Sequence, residues 1–229
     1  MALADDLKKW VGETFTSAWD AQETTGVPNP EDLRLNSNHA KDLSSATVLY
    51  ADLDGSTDMV NRYKWQFSAE IYKAFLKCAS DIIKSEGGVI TAYDGDRVMA
   101  VFTGNSKNTS AARCALKIHG AVIDIIRPAL NKTYNTSFVL RHVVGIDTSQ
   151  LRTARIGVRG DNDLVWVGRA ANYAAKLTSL ADKPTRITES VYEMLADELK
   201  YSNGQSMWAR EYWEDMKIWM YTSTWKWAL

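Results

Sequence analysis

Residues 46–57 read ATVLYADLDGST, a β-branched and aromatic run that meets an acid and then a small, flexible loop. Such a run predicts a buried strand over Ala46–Leu53, and the loop opens a helical pattern from about 57 to 86 that Gly87-Gly88 stops. Beyond it, VITAY (89–93) and RVMAVF (97–102) are two short strands around Asp94-Gly95-Asp96, where an Asp-Gly pair predicts a tight hairpin. Ala111, Ala115, Ile118, Val122 and Ile125 mark another helix, and SFVLRHVVGI (137–146) is the next strand. The order β-α-β-β-α-β predicts an α+β domain with a ferredoxin-like core, both helices lying on one face of the sheet.

On the N-terminal side, Leu3, Leu7, Trp10, Val11, Phe15 and Trp19 fall at helical spacing before GVPNPED (26–32), whose prolines end the pattern. Residues 1–43 therefore read as an appended helix and linker, and 44–229 as the domain. The stripe can cap that domain or pair with a second subunit. On the C-terminal side, five of the nine tryptophans (Trp208, Trp213, Trp219, Trp225, Trp227) predict closely packed strands.

The chain of 229 residues has enough apolar content, 45%, for a sizeable core, and 27 basic against 28 acidic residues argue against a nucleic-acid or anionic-lipid partner. A small partner is expected. Cys78 and Cys114 fall inside helical patterns and suit a reducing compartment. The opening MALADDLKKW lacks the apolar run of a secretory signal, and no stretch reaches membrane-spanning length, so a cytoplasmic protein is expected.

The expected topology decides where acids meet. The first strand runs antiparallel to the third beside it, so Asp52 at the end of one reaches Asp96 at the start of the other. Adjacent strands lie about 4.8 Å apart, and two carboxylates there can share a pair of divalent ions about 3.5 to 4 Å from each other. Mg2+ or Mn2+ suits such oxygen ligands when triphosphate oxygens are to be bridged. Leu53-Asp54-Gly55-Ser56-Thr57 then leads into a helix N-terminus whose free amides and dipole favour a polyphosphate. Taken singly, Asp-Gly is a common turn, and Ser56 or Thr57 a common helix cap.

VLYADLDGST resembles the first-strand motif of class III nucleotidyl cyclases, with Ser56 replacing an aromatic residue. YDGDRVMAVF is similar to the hairpin whose Gly-Asp supplies the second metal ligand. VGIDTSQLRTARIGVRG resembles the family's central strands, and WVGRAANYAAKLTSLA its helix bearing Asn and, four residues on, Arg. The likeness covers roughly residues 44–226, with all four motifs in family order.

The resemblance implies a homodimer with shared active sites. One subunit supplies Asp52, the Leu53 backbone carbonyl and Asp96 to two divalent ions, and the other supplies the Asn helix. Arg169, Asn172 and Lys176 lie on one helical stripe that can face the partner's nucleoside triphosphate. By family position Asn172 holds the ribose, and Lys176 stands where an arginine stabilises the transition state, as a point charge without the bidentate fork. Lys217 resembles a C-terminal lysine that contacts the triphosphate. The implied reaction is in-line attack of the 3′-hydroxyl on the α-phosphorus with release of pyrophosphate.

The positions that read adenine or guanine in the family hold Ala92 and Val165, and neither can recognise a purine edge. Tyr50, on the strand face of Asp52, and Arg97, next to Asp96, can instead narrow the pocket and read a smaller base. This pattern resembles the pyrimidine cyclases of bacterial anti-phage signalling, whose cyclic UMP or cyclic CMP acts on a separate effector. An arginine only donates and uracil O4 accepts, which favours UTP over CTP. A diguanylate cyclase or polymerase palm would show a Gly-Gly-acid-acid tip rather than Tyr-Asp-Gly-Asp. A degenerate homologue that binds nucleotide without turnover is the remaining reading, with Lys176 in its favour and both acids against it.

Overall fold

The computed structural model describes residues 2–229. Helix α1 (Leu3–Thr16) and strand β1 (Asp20–Glu23) precede a 3-10 turn at Pro30–Asp32, then β2 (His39–Asp54), α2 (Ser56–Arg62), α3 (Trp65–Ser85), β3 (Val89–Asp94) and β4 (Arg97–Phe102). Helix α4 (Lys107–Ala121) continues through a π-helical turn, Val122–Ile126, into α5 (Arg127–Tyr134), followed by β5 (Arg141–Val158), β6 (Asp161–Val167) and α6 (Arg169–Thr178). The chain ends with β7 (Thr185–Thr188), α7 (Glu189–Glu193), α8 (Asp197–Lys200), β8 (Tyr201–Ser202), β9 (Gln205–Ser206), β10 (Ala209–Trp213) and β11 (Ile218–Ser223).

The main sheet has the order β10-β11-β7-β5-β2-β4-β3, with β1 on β2 and β6 on β5. The expected ferredoxin-like order β2-α3-β3-β4-α4-β5 is present, and β2 runs antiparallel to β4 as the sequence required. Alternation along β2 builds two cores. Leu49, Ala51 and Leu53 face α3 and α4, joining Phe75, Ile83, Phe102, Leu116 and Ile146. Ala46 and Val48 face the other way, with Met99, Leu151 and the α6 alanines Ala170, Ala171 and Ala174. Gly145 permits the close approach of α6, since a Cβ there would stand 2.3 Å from the Ala174 carbonyl oxygen.

Several expected boundaries move. Strand β2 starts at His39 and is paired with β1 over His39–Asp42, so it crosses the 43/44 division. The single helix expected from 57 to 86 is two, because Tyr63 and Lys64 are both extended, with ψ 164° and 147°. The strand expected from Ser137 begins at Arg141. In the hairpin Asp94 pairs with Arg97, so Gly95-Asp96 is the two-residue tip. Of the C-terminal tryptophans, Trp213 lies in β10 and Trp219 in β11, but Trp225 and Trp227 follow the last strand. Their segment straps α4, with the Trp227 amide donating to the Leu116 carbonyl at 3.1 Å. No residue of α1 is buried.

Candidate active site

The β2–β4 register, Tyr50 with Met99 and Ala51 with Val98, sets Asp52 beside Arg97 at the start of β4. The β3–β4 register places Ala92 on the other flank of Met99 and Asp94 beside Arg97. Two rows therefore cross the sheet on the α6 face: Tyr50, Met99 and Ala92 inside, and Asp52, Arg97 and Asp94 at the strand ends. Asp96 follows directly at the hairpin tip.

Arg97 Nε donates to Asp52 Oδ2 at 3.0 Å, and its guanidinium carbon lies 5.8 Å from the Tyr50 ring centroid. Burial pushes the Asp52 carboxyl above its ordinary range; Arg97 opposes that shift and Asp96 adds to it. Burial also raises the Tyr50 phenol, with Arg97 opposing and Asp94 reinforcing. Asp96 Oδ2 is buried and has no hydrogen-bond partner among the described residues. A buried carboxylate oxygen left unpaired, beside a second carboxyl whose ionised form burial disfavours, is an oxygen site short of positive charge. It fits a divalent cation, for which Asp52, Asp96 and the Leu53 carbonyl are the ligands expected.

Tyr72 of α3 also belongs to this region, although no sequence motif marks it. Burial and then the Asp96 charge raise its phenol, while the nearby Ser56 side chain opposes them. Its place depends on how α3 crosses the strand end, which helical spacing alone does not encode.

The loop 53–57 opens a shorter helix than the sequence pattern predicts. Gly55 takes φ 79°, a conformation that favours glycine, but the helix behind it, α2, has only seven residues. Its dipole is small, and neither Ser56 nor Thr57 forms the helix cap, which is Gly55. Asp54 Oδ2 accepts from Arg141 Nε at 2.8 Å, so this carboxylate has a protein partner.

A second set of side chains lies on α6 and the C-terminal hairpin. Asn172 and Lys176 are exposed on one stripe, and Lys176 Nζ lies 3.4 Å from Met216 Sδ. Lys217 follows Met216 in the β10–β11 turn, at φ 53°, rather than on an edge strand. Arg169 shares their stripe but not their freedom. It forms a bidentate pair with the fully buried Asp147 at 3.0 and 3.2 Å and donates to the Thr148 carbonyl at 2.8 Å. Through these contacts Arg169 anchors α6 to β5 within its own chain. Val165 lies on β6 opposite Ala154, apart from Ala92. Among the described residues no hydrogen bond or ion pair joins Asp52 or Asp96 to Asn172, Lys176 or Lys217.

Residues 38–219 match the family described as the adenylate and guanylate cyclase catalytic domain. Over its full length the chain is 81% identical to a uridylate cyclase of Burkholderia cepacia and 54% identical to one of Xanthomonas perforans, covering 100% of each. A uridylate cyclase of Rhodovulum sp. (strain MB263) is 35% identical over 98% of this chain and 97% of its own. The fold is similar to a bacterial light-regulated adenylyl cyclase, with TM-score 0.68 and 18% identity over 86% of this chain and 55% of that one. It is also similar to the guanylate cyclase domain of RhGC from Catenaria anguillulae, with TM-score 0.63 and 18% identity over 81% and 99% of the two chains. Among the described residues no helix is long and apolar enough to cross a membrane.

Proposed function

The chain belongs to the adenylate and guanylate cyclase catalytic-domain family and is a nucleotidyl cyclase, and from that premise we propose that it converts UTP to 3′,5′-cyclic UMP and pyrophosphate. The observation that carries this reading is the Tyr50–Arg97 pair standing beside Asp52, with apolar Ala92 and Val165 where purine-reading groups belong. The full-length likeness to uridylate cyclases supports it.

Asp52, Asp96 and the Leu53 carbonyl would hold two divalent ions, Mn2+ or Mg2+. When bound, such ions acidify the attacking hydroxyl and neutralise charge on the phosphoryl and leaving oxygens. Arg97 and Tyr50 bind the pyrimidine edge and keep a larger base out. Asn172 orients the ribose, and Lys176 and Lys217 place positive charge on the phosphates. These last three make no hydrogen bond or ion pair with the acids of their own chain, which supports the reading that they serve a partner's nucleotide in a homodimer with two shared sites. In the cytoplasm, as in the anti-phage systems the sequence resembles, the cyclic nucleotide would act on a separate effector.

Incubating the pure protein with each of the four ribonucleoside triphosphates and Mn2+, and identifying products by mass, tests the reading. Cyclic UMP as the main product is expected. Preferential turnover of ATP, GTP or CTP overturns the base assignment.

A further inference from the structure

Arg141 is a positive charge laid against the loop 53–57 that nothing above uses in catalysis. It opens β5 directly opposite Asp54, and its Nε donates to Asp54 Oδ2 at 2.8 Å. Its Nη2 lies 3.6 Å from where a Cβ on Gly55 would stand, so the guanidinium spreads over the glycine that turns the chain out of β2. The hydrogen bond to Asp54 uses Nε, and the side chain remains 62% exposed.

Stability alone does not account for the pair, since an ion pair whose arginine lies mostly in solvent contributes little. Charge balance at the loop points the same way. Arg127 stands close enough to Arg141 for the two charges to repel, and its own Nε is committed to the Leu140 carbonyl at 2.9 Å. Two guanidiniums thus share the start of β5, with Asp54 the acid bonded to one of them. A seven-residue α2 offers little dipole for a polyphosphate, so cationic side chains must supply what the helix end does not.

We propose that Arg141 binds the triphosphate of the nucleotide held at loop 53–57, and that Asp54 is a positioning residue that aims its guanidinium. This rests on the cyclase reading above. With Nε on a carboxylate, the two Nη groups are left to face phosphate oxygens, a geometry an arginine offers and a lysine does not. The charge would lie beside the pyrophosphate as it leaves.

The test uses the full-length protein and its Arg141→Ala, Arg141→Lys and Asp54→Asn variants. Each is titrated calorimetrically with inorganic tripolyphosphate and Mn2+, assayed for pyrophosphate release from UTP, and melted. Arg141→Ala should weaken tripolyphosphate binding and raise KM by about 10- to 100-fold, the scale of a lost charge-assisted hydrogen bond. Arg141→Lys should recover part of that loss, and Asp54→Asn should fall between. Melting temperatures should stay within about 4 °C of wild type. Unchanged tripolyphosphate affinity in Arg141→Ala overturns the proposal, with or without a fall in melting temperature, and so does a wild-type protein that binds no tripolyphosphate. Arg141-dependent tripolyphosphate binding without any cyclic product would support the phosphate site while overturning the cyclase reading.

Discussion

Arg97 Nε and Asp52 Oδ2 are 3.0 Å apart, so the arginine expected to read the base is bonded to the carboxylate expected to bind metal. Base recognition and metal binding thus share one hydrogen-bonded unit, with the Tyr50 ring against its guanidinium. A substitution in one part has consequences for the other.

Removing either acid should abolish turnover and spare the fold. Asp96 Oδ2 has no protein partner to lose, so Asp96→Asn leaves no broken hydrogen bond at that oxygen. Asp52→Asn and Asp96→Asn should each lower pyrophosphate release at least about 100-fold, the scale of one preorganised electrostatic group. Unfolding midpoints close to wild type complete the expectation. Activity within a few-fold of wild type in either variant would rule out a metal site built on these acids.

Tyr50→Phe and Arg97→Ala should both reduce selectivity for UTP over purine nucleotides, by roughly 5- to 150-fold if each removes a hydrogen bond of about 1 to 3 kcal/mol to the correct base. Their pH profiles should differ. Arg97 holds the Asp52 carboxyl down against burial, so removing it lets that pKa rise further. The acid limb of kcat/KM should therefore move to higher pH in Arg97→Ala and stay in place in Tyr50→Phe. Identical limbs in the two variants would show that the ion pair has no bearing on the acid.

Shared sites predict complementation. Asp52→Asn and Asn172→Ala should each be inactive, and their mixture active, because one of the two interfaces in a mixed dimer keeps every wild-type group. Absence of recovery after demonstrated subunit exchange would place the whole site within one chain.

A fourth prediction concerns stability. His142 is buried against Phe75 and His119, and burial, then the His119 charge, lowers its pKa to about 3; His119 falls to about 4, chiefly by burial. Because the unfolded chain takes up these protons near the ordinary 6.5 and the folded chain does not, the stabilisation is full above pH 6.5 and declines as pH falls toward 4 and then 3. For His142 the loss between pH 7 and 5 should be about 2 kcal/mol. Partly buried His119 adds less. Urea unfolding at the two pH values should show this loss in wild type and a smaller one in His142→Phe. Equal pH dependence in the two proteins would refute it.

Much of this is legible in the sequence. ATVLYADLDGST, the Gly-Asp hairpin and the helix of Asn172 and Lys176 carry local signals: alternation on a half-buried strand, glycine where the chain turns, apolar spacing on a helix. Antiparallel pairing of the first and third strands then follows from element order, and with it the meeting of Asp52 and Asp96. The break at Tyr63-Lys64 was hidden because apolar spacing on both sides of it continues the same pattern.

The sequence by itself therefore determined the fold class, the cyclase resemblance and which acids stand at one strand end, since each depends on local periodicity and strand order. Tertiary structure alone decided what each polar side chain bonds to. Asp54 and Arg141 are 87 positions apart, and Arg169 and Asp147 are 22 apart, yet each pair forms an ion pair that no local pattern announces. Register between strands sets the first, and the seating of α6 on Gly145 sets the second. The same long-range packing brings Tyr72 to Asp96, which no spacing along α3 could announce. Side-chain partnership is a property of surfaces brought together at folding, whereas strand and helix are properties of neighbours along the chain.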